Sequence, residues 1–568
     1  PPDPFIKQTT VSETRGEEGL AHHRGLNGMV AKLAGLGLAA AALLTMTNAL
    51  AQDLPRLETR DGRHALIVDG APFLMLGAQV NNSSNYPAML DEVWPVIERM
   101  HANTVEVPVA WEQVEPEEGK FDFSFVDELV RQARARKVRV VLLWFATWKN
   151  TGNTYAPEWV KRDTRRFPRM RKPDGTLHYA LSPHGTNTLE ADKRAFVALM
   201  RHLAQIDQAG TVIMVQPENE AGSYGLARDH SPEADRQFNG QVPAELTRAL
   251  GKPAGTWTAL FGKRAEQFFQ TWHLARYVDA IAKAGKAAHP LPMYVNAALG
   301  DAFTDEGGNV GPSGGPNWNV IPVWKAAAPN IDLLAPDIYV RDPLAVTAFL
   351  DKYARPDNAL MVPEIGNARD FARFIWPALG RGAIGFAPFG MDATGFFNYP
   401  LGAKEFDPAT LDAFSAPYRL FAANQREWAR IAFEKPTWGV AKGAKDQSKT
   451  MGRWRISAEY GQWQMGEPSW SSWTKVDPHP DSDAPVGGMV VAQLAPDTFL
   501  LSGSHVRVRI ALADAGPGEQ AQLMSAEEGS YVDGKWTMRR RWNGDQIDYG
   551  LNFTAQPVLL KVTMGTYR

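Results

Sequence analysis

The chain has no cysteine in 568 residues. Disulfides, thiol nucleophiles and thiolate-bound metals are therefore excluded. An excess of one charge is also missing. Sixty Lys and Arg stand against 63 Asp and Glu, for a net charge of −3, so nothing calls for nucleic acid or an anionic membrane surface as partner. Histidine is sparse, and its one adjacent pair, His22-His23, lies far forward in the chain. No His-x-x-x-His or Asp/His cluster recurs where strands end, so no metal and no cofactor is expected. The one long apolar run, Leu33 to Met46, is short for a membrane span. No apolar run opens into a Gly-rich phosphate loop, which argues against a doubly wound nucleotide-binding sheet.

What is present is length, tryptophan and punctuation. A chain of 568 residues exceeds one ordinary core and predicts two or more domains. Residues 1–28 are polar and are expected to be a disordered or mis-called leader. Residues 29–51 read as a signal peptide: Lys32, the apolar run, then Ala49-Leu50-Ala51 as a small-residue cleavage site. Export, to a bacterial periplasm, is the expectation. The 18 Trp serve either large cores or sugar-stacking platforms. Self-association into a homo-oligomer is compatible with the sequence.

From residue 54 to 435 the pattern is a strand followed by a loop and, in most cases, a helix. Leu57 to Val68 predicts a small hairpin turning at Asp61-Gly62, which would seal a barrel bottom. Eight apolar strands then follow, at 73–79, 104–110, 139–144, 211–216, 292–297, 331–340, 360–363 and 383–389. Helices are predicted at 89–102, 125–137, 187–206, 263–287, 343–353, 369–379 and 409–434. A βα unit repeated eight times predicts a (β/α)₈ TIM barrel. The insert 221–256 is predicted to hold one helix, at 243–250. Residues 436–568 carry seven short strand-like runs, which predict a C-terminal all-β, sandwich-like domain. Its Trp463, Trp470 and Trp473 fit core packing better than glycan binding.

Strand four ends in Gln216-Pro217-Glu218-Asn219-Glu220, and strand seven in Met361-Val362-Pro363-Glu364. An acid that abruptly ends a buried strand suits a barrel rim. The fourth and seventh strands face each other across the mouth, so two acids can meet over one ligand. Glycosidic bonds require such a pair: one acid to protonate the leaving oxygen, one carboxylate as nucleophile or base. Glu106 is a third anomaly, a charge inside the apolar run Thr104 to Ala110.

These residues resemble clan A glycoside hydrolases. Asn103 to Phe123 (NTVEVPVAWEQVEPEEGKFDF) resembles the second-strand signature of family 35 and family 42 β-galactosidases. Gln216 to Glu220 is similar to the family 35 acid/base motif, and Ala156-Pro157-Glu158-Trp159 is similar to family 42. The resemblance implies a retaining exo-β-galactosidase acting on a galactose-containing oligosaccharide or polysaccharide. It implies Glu220 as acid/base, in preference to Glu218 before the same Asn, and Glu364 as nucleophile. Asn219 would bind the sugar 2-hydroxyl, Tyr339 would orient Glu364, and Glu106 would hold galactose hydroxyls. Trp144 or Trp111 would form the pocket wall, with Gln79 and Asn81 as further sugar contacts. Another clan A β-glycosidase or, on different grounds, a non-catalytic sugar-binding barrel are the alternatives.

Overall fold

Two tight turns set the start of the fold. Asp61-Gly62 and Asp69-Gly70 all have positive φ, the geometry whose twist matches a two-residue hairpin. They join β1 (Arg56–Arg60), β2 (Arg63–Val68) and β3 (Ala71–Phe73) into an antiparallel sheet. A computed structural model describes residues 53–305, 311–405, 407–445, 447–460 and 483–568. The expected leader and signal segment, and Trp463, Trp470 and Trp473, lie outside the described residues. Among the described residues no helix is long and apolar enough to cross a membrane.

The barrel strands are β4 (Met75–Gln79), β5 (Thr104–Ala110), β6 (Arg139–Lys149), β9 (Val212–Asn219), β10 (Tyr294–Ala298), β11 (Leu333–Ile338), β12 (Met361–Ile365) and β13 (Gly385–Pro388). A short antiparallel pair, β7 (Arg169–Arg171) and β8 (Leu177–Leu181), lies in the loop after β6. All barrel pairings are parallel, and β13 closes onto β4. The last gap, between β9 and β10, is bridged by Val215 N–H donating to Pro292 C=O at 3.0 Å. The predicted (β/α)₈ barrel is therefore the observed one.

Alternation decides which side chains face inward. On β6, Val141, Leu143 and Phe145 join Ile213, Tyr294, Leu333 and Met361 in the barrel interior. Leu66, Val68 and Phe73 of the hairpin sheet belong to the same cluster, so the hairpin does plug the bottom. Val140, Leu142 and Trp144 face outward, into the helix layer. That layer contains α1 (Leu90–Met100), α2 (Ser124–Arg136), α3 (Thr186–Ile206), α4 (Pro232–Phe238), α5 (Ala244–Ala249), α6 (Ala265–Ala288), α7 (Ile321–Ala327), α8 (Pro343–Tyr353), α9 (Ile375–Gly380) and α10 (Pro408–Glu434). In α1 the buried positions Leu90, Val93, Trp94, Ile97 and Met100 repeat at helical spacing, and His101 ends it at φ 59°. The insert 221–256 holds two helices, α4 and α5, where the sequence predicts only the second. Residues 369–374 form a 3₁₀ turn leading into the shorter α9.

The C-terminal strands are β14 (Thr437–Ala441), β15 (Ser448–Met451), β16 (Trp454–Glu459), β17 (Gly488–Ala495), β18 (Thr498–Ser504), β19 (Val506–Leu512), β20 (Gln520–Val532), β21 (Lys535–Arg541), β22 (Leu551–Phe553) and β23 (Leu559–Tyr567). They form a six-stranded sheet, β14-β17-β18-β23-β20-β21, and a four-stranded sheet, β15-β16-β19-β22. Trp454, Phe499, Leu501, Val506 and Phe553 pack within this layer. The alternate residues Val490, Ala492, Leu500 and Leu559 pack instead with Trp376, Phe421 and Trp428 of the barrel helices. Backbones touch at the seam: a Cβ on Gly380 would lie 1.9 Å from the Gly439 nitrogen. The described residues form one compact unit, and the expected boundary at 435/436 falls at a change of architecture within a shared core.

Candidate active site

The acid-bearing end of β9 is built by an unusual backbone. Glu218 and Glu220 both have positive φ, 65° and 42°, a region that costs a non-glycine residue about 1–3 kcal/mol. Gln216 braces the bend, its side-chain N–H₂ donating to Glu218 C=O at 2.9 Å and Asn219 Oδ1 at 3.0 Å. The bend sends neighbouring carboxylates to opposite sides. Glu218 accepts from the Thr147 and Trp148 backbone N–H groups at 3.3 and 2.7 Å. It lies with buried Asp192, and burial, then the Asp192 charge, pushes its carboxyl well above the usual range. Glu220 instead reaches the barrel mouth. Its backbone N–H donates to Asn296 Oδ1 at 2.8 Å.

Glu220 and Glu364 line a cavity of about 490 Å³ with Lys149, Asn150, Asp337 and Tyr339. Carboxylate oxygens of Glu220, Glu364 and Asp337 lie within 4.8 Å of one another. Gln79 donates to Glu364 Oε1 at 2.8 Å and Tyr339 O–H to Oε2 at 2.6 Å. Asn150 donates to Glu220 Oε2 at 2.5 Å, and the Lys149 ammonium stands 4.0 Å from the same oxygen. Burial first, then the Glu364 charge, raises the Glu220 carboxyl to about 7, against the opposing pull of Lys149 and of the hydrogen bond from Asn150. The Tyr339 phenol is held protonated by burial and by the Glu364 charge. Side-chain N–H and O–H groups and one ammonium thus already face the three acids. The arrangement can hold Glu220 protonated near neutral pH, facing a second carboxyl group across the cavity.

Asn296 on β10 is the hub. Its amide donates to Asp337 Oδ2 at 2.7 Å, Asn219 Oδ1 at 3.2 Å and Glu364 Oε1 at 3.5 Å. Asn219 is fully buried, and its own Nδ2 has no hydrogen-bond partner. A second hollow of about 970 Å³ shares Tyr224, Leu299 and Gly300 with the first. Beside the cavity-lining Asn398 and Leu401, the loop after β13 exposes Phe396, Phe397 and Tyr399.

Of the sequence-selected residues, the structure brings Glu220, Glu364, Asn219, Tyr339 and Gln79 together. Four others are placed elsewhere. Trp144 is not a pocket wall. The third strand runs on to Lys149, so Trp144 sits mid-strand on the outer face and its indole N–H donates to Asp192 at 2.8 Å. Trp111 likewise faces outward, donating to Glu115 at 2.9 Å and packing edge-on against Trp159. Glu106 lies within the barrel, accepting from Tyr294 O–H at 3.1 Å, and is not among the residues lining the cavity. Burial holds its carboxyl well above the usual range. Asn81 is tied to Asp392 through its backbone and side-chain N–H groups, both at 2.8 Å, while the next residue, Asn82, lines the cavity. Lys149, Asn150, Asn296 and Asp337 were not picked out from sequence. Asp337 carries the signal that marks Glu106, a charge inside an apolar strand.

Residues 86–286 match the family described as β-galactosidase, glycoside hydrolase family 42. Residues 414–554 match a domain of unknown function, DUF5597. A β-galactosidase of Xanthomonas manihotis is 29% identical over 225 residues, 38% of this chain and 34% of that protein. A β-galactosidase of Thermus sp is 27% identical over 167 residues, 28% of this chain and 24% of that protein. The chain thus spans about a third or less of the length of these relatives. The crystal structure of a β-galactosidase from Bacillus circulans sp. alkalophilus aligns with a TM-score of 0.45 at 13% identity, covering 63% of this chain and 57% of that one. The chain resembles family 42 β-galactosidases over the segment that carries Glu220. Glu364 and Asp337 lie beyond it.

Proposed function

We propose that the protein is a retaining β-galactosidase that removes terminal galactose from an oligosaccharide or polysaccharide. The observation that carries this reading is the facing of Glu220 and Glu364, with oxygens within 4.8 Å and Glu220 raised to about 7. That spacing is near the roughly 5–5.5 Å of retaining glycosidases and below the roughly 6.5–9.5 Å that leaves room for water in inverting ones. The names of the relatives supply galactose as the sugar.

In the first step the Glu364 carboxylate attacks the anomeric carbon. The glycosidic bond breaks, and Glu220 gives its proton to the leaving oxygen, so the aglycone departs as an alcohol. Gln79 and Tyr339 hold Glu364 for the attack. In the second step the Glu220 carboxylate takes a proton from water as the water oxygen attacks the same carbon. The ester to Glu364 breaks, and Glu220 regains its proton. Asn219 Nδ2 is the donor available to the 2-hydroxyl. The smaller cavity would take galactose, and the adjoining hollow with the aromatic loop the remainder of the glycan. Residues 29–51 direct export in this reading, and Edman sequencing of the secreted protein should begin at Gln52.

The test is a panel of p-nitrophenyl glycosides, with the first-formed product followed by proton NMR. Release of β-galactose from the β-galactoside is expected. Turnover of the glucoside or mannoside with none of the galactoside would overturn the sugar, and α-galactose as first product would overturn retention.

A further inference from the structure

The third carboxylate, Asp337, is not needed for the two-acid mechanism, and its surroundings are specific. It sits near the end of β11, 2% exposed. Its Oδ2 accepts from Asn296 at 2.7 Å. Its Oδ1 is enclosed and has no hydrogen-bond partner. The two other acids of the trio stand within 4.8 Å. Both Glu364 oxygens already receive a shorter bond, from Gln79 and Tyr339. Among the described residues, Glu220 receives a side-chain N–H hydrogen bond on Oε2 alone, from Asn150. Two carboxyl groups facing each other without a cation between them are stable only when one keeps a proton.

We propose that Asp337 is a carboxylic acid that stays protonated through the catalytic cycle and donates its O–H to Glu220, positioning that side chain and stabilising its carboxylate between the two steps. The inference rests on Glu220 being the acid/base. No bond to Asp337 is made or broken. Its proton remains on Oδ1 while Glu220 loses a proton to the leaving oxygen and regains one from water. The Glu364 and Glu220 charges, from β12 and the end of β9, favour its protonated form, and the charge of Lys149 on β6, 4.0 Å from Glu220 Oε2, opposes them. The remaining titratable neighbours are the phenols of Tyr224, Tyr294, Tyr339 and Tyr353, none of them a cation at neutral pH. Burial pushes Asp337 well above the carboxylate range, and the Glu364 and Glu220 charges add to it.

Asparagine reproduces a protonated Asp in this position. Its carbonyl can take the Asn296 bond and its N–H₂ can face Glu220. Asp337→Asn is therefore expected to keep kcat/KM on an alkyl β-galactoside, whose leaving group needs the proton, within about fivefold, with the alkaline limb of the pH profile unmoved. Asp337→Ala removes the donor, and is expected to move that limb to higher pH and lower kcat/KM by about 10-fold or more. If Asp337 is ionised, Asp337→Asn deletes a negative charge beside Glu220. The limb then falls by about one pH unit or more, and the proposal is overturned. An infrared difference spectrum, wild type minus Asp337→Asn at pH 8, gives a readout free of activity. The C=O band of a protonated carboxyl is expected, and a carboxylate band instead rejects the proposal even if Asp337→Ala fails to fold. Glu220→Gln is assayed beside them. If it keeps full activity, the acid/base reading fails, and the infrared band alone then decides whether Asp337 holds its proton.

Discussion

Glu218 and Glu220 stand one residue apart on the same strand end, and each belongs to a buried acid cluster. Glu218 and Asp192 lie outside the barrel wall, under the helices. There two backbone N–H groups, the Trp144 indole and the Thr147 hydroxyl occupy their oxygens. Glu220, Asp337 and Glu364 lie inside the mouth and border open volume. Desolvation raises Glu218, Glu220 and Asp337 alike. A raised proton affinity therefore does not by itself mark an active site. What separates the clusters is access: protein donors occupy the oxygens of one, while Glu220, Asp337 and Glu364 of the other line a cavity.

Mutations should split the clusters along that line. Glu364→Gln has the largest expected effect, a loss of more than about 10⁴-fold in kcat, measured by single turnover on an aryl galactoside. Glu220→Gln should lose about 10²–10⁴-fold on galactosides with poor leaving groups. The loss should be smaller with an aryl group that needs no proton, and added azide should restore turnover as a β-galactosyl azide. In wild type, Glu220 must hold its proton to act. Activity should therefore fall as pH rises through about 7, and the kcat/KM profile checks this.

Tyr339→Phe removes a charge-assisted hydrogen bond from Glu364. Such bonds contribute about 1.5–3 kcal/mol, so kcat should fall roughly 10- to 100-fold with little change in KM. The sealed cluster should respond in stability instead. Asp192→Ala and Glu218→Ala should each cost about 2–3 kcal/mol in urea unfolding, while kcat/KM per folded molecule stays within about threefold.

Its pH dependence has a definite sign. Glu218 in the folded protein keeps its proton well above its ordinary value of 4.5. Stability from this group is full below 4.5 and is lost as pH rises towards the raised value, by at most about 1.4 kcal/mol per pH unit. Glu218→Gln is neutral at every pH, so its urea midpoints should decline less between pH 5 and 8 than those of wild type. The smallest effect is expected of Trp144→Phe. It should cost about 1 kcal/mol through the lost indole bond and leave KM for galactosides unchanged, because the ring faces Asp192 and not the sugar.

The barrel was legible because its strands are short apolar runs closed by Pro, Gly or an acid. Two strand ends carrying Glu220 and Glu364 then fixed the mouth. The faces were less legible. Residues 140–148 of β6 are all buried, so no charged residue reveals the alternation, and reading the strand as ending at Trp144 puts that ring at the rim. The true rim is Lys149 and Asn150. Asn296 and Asp337 are hidden inside apolar runs and gain meaning only when β10 and β11 lie beside β9 and β12. The longest strand of the C-terminal layer, β20, was missed because most of it is partly or fully exposed and reads as polar.

The docking of the six-stranded sheet bears on how such chains can be recombined. One face of that sheet is filled by residues from α9 and α10. The recurring sequence segment 414–554 begins inside α10, well before the change of architecture at 435. The matched segment therefore takes in part of a barrel helix, and its start is offset from the change of architecture. A chimera joined at residue 436 would pair one protein's α9 and α10 with another's sheet and break the seam at Gly380 and Gly439. A junction ahead of Ile375 keeps both helices with the sheet.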